Sequence, residues 1–372
     1  MYDVIVAGAG PSGAYCAYLL AEAGLHVVLA EKERVPRRKP CAGGLTPKVE
    51  RLLDFPIDDV IQRRCLTVVY SLRSVEGHRA ELRETGITTV DRAEFDHFLV
   101  RKAVGKGAEV RAGTEVTAVQ EERDRVTVSM GSRRLAGRFL VAADGARSGI
   151  ARSLGIHPRQ RCCVAVNAEA DLDTAWEKNG WVAGPEDVCF ELGTVPGGYA
   201  WCFPRNGCAS IGIFTTRQRL PRMRRRLHDF AARAGFTGRR SPRHLQGHPV
   251  PVGGAPDVFH SERTVLVGDA ASAVDPFTGE GIAHALRTAR IAAGAVRGAL
   301  ANGGSHALEV HTRQVNDVVH RELRWARCAA FLFYTVPIVS YRFGANTDQF
   351  SEMFGRVVAG RCSYRKLLLP FI

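Results

Sequence analysis

The stretch VIVAGAGPSGAYCAYLLAEAGLHVVLAEKE, Val4 to Glu33, decides the fold. Val4, Ile5 and Val6 form a short apolar run that predicts a buried parallel strand. Gly8, Gly10 and Gly13 follow in the spacing G-x-G-x-x-G, with Ser12 inside the turn. Ala14 to Ala23 is rich in Ala and Leu and reads as a helix stopped at Gly24. His26 to Ala30 is a second strand, and Glu31 stands at its end. The first Gly permits the tight turn, the second lets backbone approach a pyrophosphate, and the third lets helix and strand pack closely. The helix N-terminus offers free N–H groups and the positive end of its dipole. Glu31 suits a ribose 2′-OH, and the acid, with no Arg in its place, disfavours a 2′-phosphate. The nucleotide expected here is NAD or the ADP half of FAD.

Outward from this unit the chain alternates. A basic loop, Arg34 to Pro40, leads into Cys41-Ala42-Gly43-Gly44-Leu45. Two prolines and two glycines mark an irregular loop. Thr46 to Leu53 looks helical, and Val68 to Leu82 alternates like strands of a different sheet. The stretch Thr89 to Asp96 is expected to start a helix that runs to about Val104, with Asp91 as a cap and Glu94 three residues on. Strands follow at Ala108–Arg111, Thr117–Gln120, Val126–Met130 and Arg138–Ala142, the last ending in Asp144-Gly145. From Cys163 to about Pro249 the pattern is alternating and aromatic, which predicts antiparallel sheet around one basic helix, Leu220 to Ala234. Thr264 to Asp269 returns to the first pattern, followed by a glycine-rich loop and an Ala-rich helix, Gly281 to Ala299. The tail from Leu308 is helical and strongly apolar after Trp325.

The expected class is therefore α/β. A Rossmann-like nucleotide domain (1–67, 86–160 and 255–305) carries an inserted antiparallel substrate domain (68–85 and 161–254). A helical C-terminal segment (306–372) completes the chain.

Of 372 residues, 45% are hydrophobic and 24% charged, an ordinary globular balance. Lys+Arg number 51 and Asp+Glu 38, a net charge of +13. That excess favours anionic partners, although Arg-rich coding bias produces the same balance. No nucleic-acid module is visible. The ten cysteines include no C-x-x-C pair, and no C-x-x-x-x-C redox pair follows the nucleotide motif, which argues against a zinc site and against a disulfide-reductase flavoprotein. Met1 runs straight into the first strand, so a signal peptide is not expected and a cytoplasmic, reducing compartment is. The uncharged stretch Cys328 to Tyr341 has fourteen residues, short of the roughly 20 that a membrane-spanning helix needs.

Three separated motifs point one way: the N-terminal unit, Leu140-Val-Ala-Ala-Asp144-Gly145-Ala-Arg147, and Val265-Leu-Val-Gly-Asp269 running through Pro276, Gly279, Gly281 and Ile282. In this order and spacing they resemble the FAD-binding fold of the aromatic-hydroxylase and geranylgeranyl-reductase superfamily, as far as about Leu300. The resemblance implies FAD, with Asp269 on the ribitol chain and the N–H groups of Gly281 and Ile282 near the flavin pyrimidine. It also implies Arg92 at the pyrophosphate and the Val116 backbone at the adenine, with Asp144 and Arg147 structural. No second G-x-G-x-x-G unit occurs, so electrons are expected from transiently bound NAD(P)H or a protein carrier.

Two further pieces resemble the reductase branch. Lys39-Pro-Cys41-Ala42-Gly43-Gly44-Leu45 is similar to the loop lying over the flavin in those enzymes, which places Ala42, Gly43 and Gly44 at the cofactor. Gly198-Tyr199-Ala-Trp201-Cys-Phe203-Pro204 is similar to their Y-x-W-x-F-P motif. Tyr199, Trp201 and Phe203 share one strand face, where they either line a tunnel for a polyisoprenoid chain or form an ordinary aromatic core layer. Cys41 either serves the reaction, positioning the alkene or relaying a proton, or is a small packing residue. Arg222, Arg224, Arg225 and Arg226 are a solvated helix face or a contact for phosphate groups. The apolar tail caps the tunnel, meets an anionic membrane peripherally, or packs as core.

The resemblance implies a flavin-dependent reductase saturating C=C bonds of a prenyl chain on a lipid, quinone, chlorin or diphosphate. The alternatives are an FAD-dependent monooxygenase of an apolar substrate and a non-catalytic flavoprotein. The residues set no oligomeric state.

Overall fold

A computed structural model describes residues 1–82, 86–156, 161–172, 186–238, 241–302 and 306–369. Parts of the expected domain ranges, at 83–85, 157–160, 173–185, 239–240, 303–305 and 370–372, lie outside the described residues. The chain forms two compact units. The first comprises Met1–Arg38, Ala93–Arg161 and Pro251–Arg324, the second Lys39–Arg92, Cys162–Val250 and Trp325–Ile372.

The first unit is built on a seven-stranded sheet. Its path runs Glu109–Ala112, Val27–Glu31, Tyr2–Ala7, Arg133–Ala142, Val126–Met130, Val116–Glu121, with Thr264–Leu266 also paired to Arg133–Ala142. The first four strands and Thr264–Leu266 pair in parallel; Val126–Met130 and Val116–Glu121 extend the sheet antiparallel. Ile5, Val28, Leu140 and Leu266 are fully buried in the core beneath it. The first helix, Pro11–Glu22, is buried almost all round, which explains why its sequence is Ala-rich rather than amphipathic. Pro11 sits at the first helical position, where its missing N–H costs no intrahelical bond. The Ile282–Asn302 helix lies beside it, with the Arg290 guanidinium over the Tyr15 ring.

The second unit holds a seven-stranded sheet in the order Arg243–Val252, Arg161–Asp171, Cys208–Thr215, Gly198–Pro204, Asp187–Leu192, Thr67–Leu72, Glu76–Glu81. It is not wholly antiparallel, as the alternating pattern led us to expect. Asp187–Leu192 and Thr67–Leu72 pair in parallel. These strands come from distant parts of the chain, so no hairpin sets their relative direction. The basic helix, Met223–Arg233, covers one face through Leu227, Phe230 and Ala231, against Ala200, Cys202, Ile211 and Ile213.

The second unit also holds a three-stranded sheet, Gly44–Leu45, Ile87–Val90 and Ile61–Cys65. It ties residues 39–67, expected in the nucleotide domain, into this unit instead. The tail from Trp325 belongs here too, as helices Arg321–Thr335, Asp348–Val358 and Tyr364–Leu368. Among the described residues no helix is long and apolar enough to cross a membrane.

Candidate functional site

The candidate residues fall on both units, and each group is built within its own. In the first unit the glycine turn joins Tyr2–Ala7 to Pro11–Glu22. Gly8 has φ +105°, and a Cβ there would lie 2.2 Å from the Ala143 carbonyl oxygen. A Cβ on Gly13 would lie 1.8 Å from the Gly8 carbonyl oxygen. The protein's own packing therefore demands both glycines. Gly10 differs. Its backbone is ordinary, φ −71° and ψ 179°, and a Cβ there would meet nothing nearer than Arg37 Nη2 at 3.7 Å. The chain itself has no need of a glycine at the helix N-terminus. The space beside the helix's free N–H groups is one that a pyrophosphate would fit.

Glu31 is buried at the end of its strand. It accepts from Ala9 N at 2.7 Å and Glu33 N at 3.1 Å. Arg37 Nε lies 3.5 Å from it, and Arg37 Nη1 lies 3.3 Å from Asp96. Sequence reasoning missed this half-buried Arg37. The basic loop was visible, but no spacing rule says which of its arginines folds back.

The structure joins the first and third motifs. A Cβ on Gly268 would stand 2.6 Å from Ser12 Oγ, so Ser12 packs directly against the turn carrying Asp269. A Cβ on Gly281 would stand 3.9 Å from Asp269 Oδ1. Gly281 immediately precedes the Ile282–Asn302 helix, which has no acidic residue in its first turn to compensate its N–H groups. A ligand carrying phosphate and a polyol fits this donor and acceptor set. Val116 opens the outer strand of the sheet, half-buried. Asp144 accepts from Ile150 N at 3.1 Å, and burial raises its carboxyl above the usual range. Asp275 Oδ1 accepts from Phe277 N and Thr278 N. Its carboxylate, Glu280 and His284 lie within 4.8 Å of one another, a grouping that sequence spacing did not suggest.

In the second unit Cys41 is half-buried. Gly43, with φ +77°, donates its N–H to Cys41 Sγ at 3.4 Å. Its carbonyl accepts from Val90 N at 2.9 Å. Gly44 pairs with Thr89, and a Cβ on it would lie 2.5 Å from the Phe203 ring. Buried Arg205 donates to the carbonyl oxygens of Cys41 and Ala42, both at 3.1 Å. Arg92, at the start of Arg92–Gly105, is buried.

Tyr199, Trp201 and Phe203 are buried on one face of Gly198–Pro204, as alternation predicts. It is the sheet face opposite the one that the basic helix covers. Phe190 meets Tyr199 and Phe203 edge-on at 5.5 and 5.4 Å, and Tyr199 also meets Phe214 and Tyr334. Trp201 Nε1 donates to Ser210 Oγ at 3.4 Å. That hydroxyl donates to Asn167 Oδ1 at 2.9 Å and lies 3.4 Å from the Cys41 carbonyl oxygen. The structure thus brings Trp201 and the Cys41 loop together through one serine. Cys328 is exposed. Arg222, Arg224 and Arg225 are exposed, while Arg226 is partly spent on the Thr194 carbonyl.

A family model described as FAD binding domain matches residues 1–326. A menaquinone reductase of Mycobacterium tuberculosis is 32% identical over 314 residues, covering 78% of this chain and 75% of the relative. A digeranylgeranylglycerophospholipid reductase of Methanopyrus kandleri is 31% identical over 310 residues, covering 78% and 79%. A geranylgeranyl bacteriochlorophyll reductase-like protein from Thermoplasma acidophilum shares the fold with a TM-score of 0.80 at 22% identity, over 99% of this chain and 95% of that one. The halogenase PltM in complex with phloroglucinol and FAD shares it with a TM-score of 0.73 at 16% identity, over 98% and 85%. The chain belongs to the FAD-binding-domain family of flavoprotein oxidoreductases, among geranylgeranyl-reductase-like relatives.

Proposed function

We propose that this oxidoreductase saturates isolated C=C bonds of a prenyl chain carried on a lipid, quinone, chlorin or diphosphate. The observation that carries the reading is the buried aromatic face of Tyr199, Trp201 and Phe203, joined through Ser210 to the loop of Cys41. When bound, FAD supplies a hydride to one alkene carbon, its electrons coming from NAD(P)H or a protein carrier. Gly8, Gly10, Ser12, Gly13, Glu31, Arg92, Val116, Asp269, Gly281 and Ile282 would hold FAD, with Ala42, Gly43 and Gly44 beside it. An isolated alkene has no carbonyl to take up charge, so the second carbon must receive a proton from a placed donor in a dry site. Cys41 is assigned that role: its S–H bond breaks as the new C–H bond forms, and solvent reprotonates the sulfur. Tyr199 and Trp201 orient the chain and exclude water.

A peripheral contact with an anionic membrane belongs to the same reading. Phe331 is 74% and Val339 52% exposed, and Val336 and Ile338 stand exposed near them, with Arg342 at the end of the stretch. Exposed apolar side chains flanked by cations suit a lipid interface. Binding to vesicles of anionic but not neutral phospholipid, lost in Phe331→Glu, is the expected result.

The second reading is an FAD monooxygenase of an apolar substrate, which the same fold would also serve. Anaerobic turnover separates them. A saturated prenyl product formed without oxygen is expected. Product that appears only with stoichiometric oxygen consumption would sink the reductase reading.

A further inference from the structure

Arg205 follows the Y-x-W-x-F-P motif directly and is only 4% exposed. A buried guanidinium needs partners. Its Nη1 faces Asp91 at 3.5 Å and Glu169 at 3.8 Å. Its Nη2 donates to two consecutive carbonyl oxygens, those of Cys41 and Ala42, at 3.1 Å each. The end of the strand that precedes it is pinned in turn. Arg205 N donates to Cys208 O at 2.7 Å, and Thr89 Oγ1 donates to Pro204 O at 2.8 Å.

The consequence follows from peptide geometry. In a planar trans peptide the carbonyl and the following N–H point to opposite sides. A guanidinium that holds the carbonyls of Cys41 and Ala42 therefore turns the N–H groups of Ala42 and Gly43 away from itself. The Gly43 N–H is found donating to Cys41 Sγ at 3.4 Å. The sulfur is thereby drawn to the loop face remote from Arg205. Gly43 is part of the same device: a Cβ there would lie 2.6 Å from Arg205 Nη2 and 2.4 Å from the Val90 carbonyl oxygen.

We propose that Arg205 is a positioning residue, which sets the direction of the Cys41 thiol by clamping the two carbonyls of its loop. The inference rests on the reading of Cys41 as proton donor for its effect on rate, but not for its effect on the thiol itself. Lys at 205 would keep the charge but replace the rigid fork with a point charge, so it should restore the clamp only in part.

Two measurements on the FAD-bound protein test it. The first needs no substrate: iodoacetamide labelling, mapped by mass spectrometry, with exposed Cys328 as the reference in the same sample. Arg205→Gln should raise the Cys41 labelling rate relative to Cys328 about tenfold, and Arg205→Lys by less. The second is a double-mutant cycle on the single-turnover alkene reaction. Arg205→Lys should lower the rate about tenfold with unchanged KM and flavin content, and should have no further effect in a Cys41→Ala background. An unchanged labelling ratio, or an equal loss from Arg205→Lys with and without Cys41, overturns the proposal. If Arg205→Gln fails to fold, Arg205→Lys carries the test alone. Altered labelling with undiminished turnover in Cys41→Ala would instead overturn the proton-donor reading and leave the clamp standing.

Discussion

The indole of Trp201 fills the space that a side chain at Gly212 would need: a Cβ there would lie 2.1 Å from the ring. The two residues are directly paired across neighbouring strands, which brings the ring over its partner. A glycine in a strand interior weakens the strand unless something approaches closely, and here the indole does. Gly212→Ala should push the ring from its place and strain the sheet, at a cost of about 1–3 kcal/mol as for other overpacked cores. The expected result is a lower Tm and a slower alkene reaction with normal flavin content. A Gly212→Ala protein with wild-type Tm and turnover would show that the indole does not depend on this space.

Gly10 and Gly8 should separate binding from folding. Gly10 has ordinary backbone angles and a missing Cβ that would meet only an ordinary contact with Arg37 Nη2 at 3.7 Å, whereas Gly8 has φ +105° and a carbonyl oxygen 2.2 Å from where a Cβ would be. Gly10→Ala should fold with an apoprotein Tm close to wild type yet lose most of its FAD affinity, read by flavin fluorescence titration. Gly8→Ala should lower the apoprotein Tm as well, because L side chains rarely adopt that backbone conformation. Full FAD binding by Gly10→Ala would place the pyrophosphate elsewhere.

His311 predicts an acid-side loss of stability. It is fully buried, with Nε2 2.8 Å from the carbonyl oxygen of Leu266, and burial pushes its pKa down to about 4. An unfolded His titrates near 6.5. Between those values the unfolded chain takes up a proton that the folded chain refuses, so stability falls as pH falls from about 6.5 to 4. The window corresponds to roughly 3 kcal/mol. Above it both states are neutral, and below it both are protonated, so His311 adds no slope in either range. Urea unfolding at pH 7 and pH 4.5 should show a steeper loss for wild type than for His311→Gln. Equal slopes would mean that His311 carries no such linkage.

The parts of this fold that could be read from the chain are those where neighbours in sequence are neighbours in space. Gly8, Gly13 and Glu31 act within one strand–turn–helix–strand unit, so spacing exposes them. Tyr199, Trp201 and Phe203 share a face because a strand alternates. Arg205 and Cys41 were different: their contact spans 164 positions. Arg205 looked like any arginine after a strand-ending Pro204. Arg37 was lost among the basic residues of its loop, although it reaches both Glu31 and Asp96. The parallel pairing of Thr67–Leu72 with Asp187–Leu192 was hidden for the same reason. Local pattern states what each strand is, and only the packed sheet states what lies beside it.

Cys41 offers the most direct test of the chemistry. Its sulfur is half-buried and accepts from Gly43 N at 3.4 Å, on a loop held by Arg205 and by pairing of Gly44 with Thr89. A thiol held by its own loop starts close to its working position, which favours general acid catalysis. Such catalysis typically contributes 10²–10⁴-fold, roughly 3–5 kcal/mol. Cys41→Ala removes the donor, and Cys41→Ser keeps the size and a hydrogen-bonding group but changes acidity. Both should bind FAD and accept electrons at near-normal rates. Both should slow reoxidation of the reduced enzyme by a prenyl substrate in the absence of oxygen, Ala at least as much as Ser and by about a hundredfold or more. Because Ala is smaller than Cys and the site is only half-buried, lost packing alone should leave this rate within a few-fold. An unchanged single-turnover rate in Cys41→Ala would assign the proton to water or another side chain and reduce Cys41 to a packing residue of its loop.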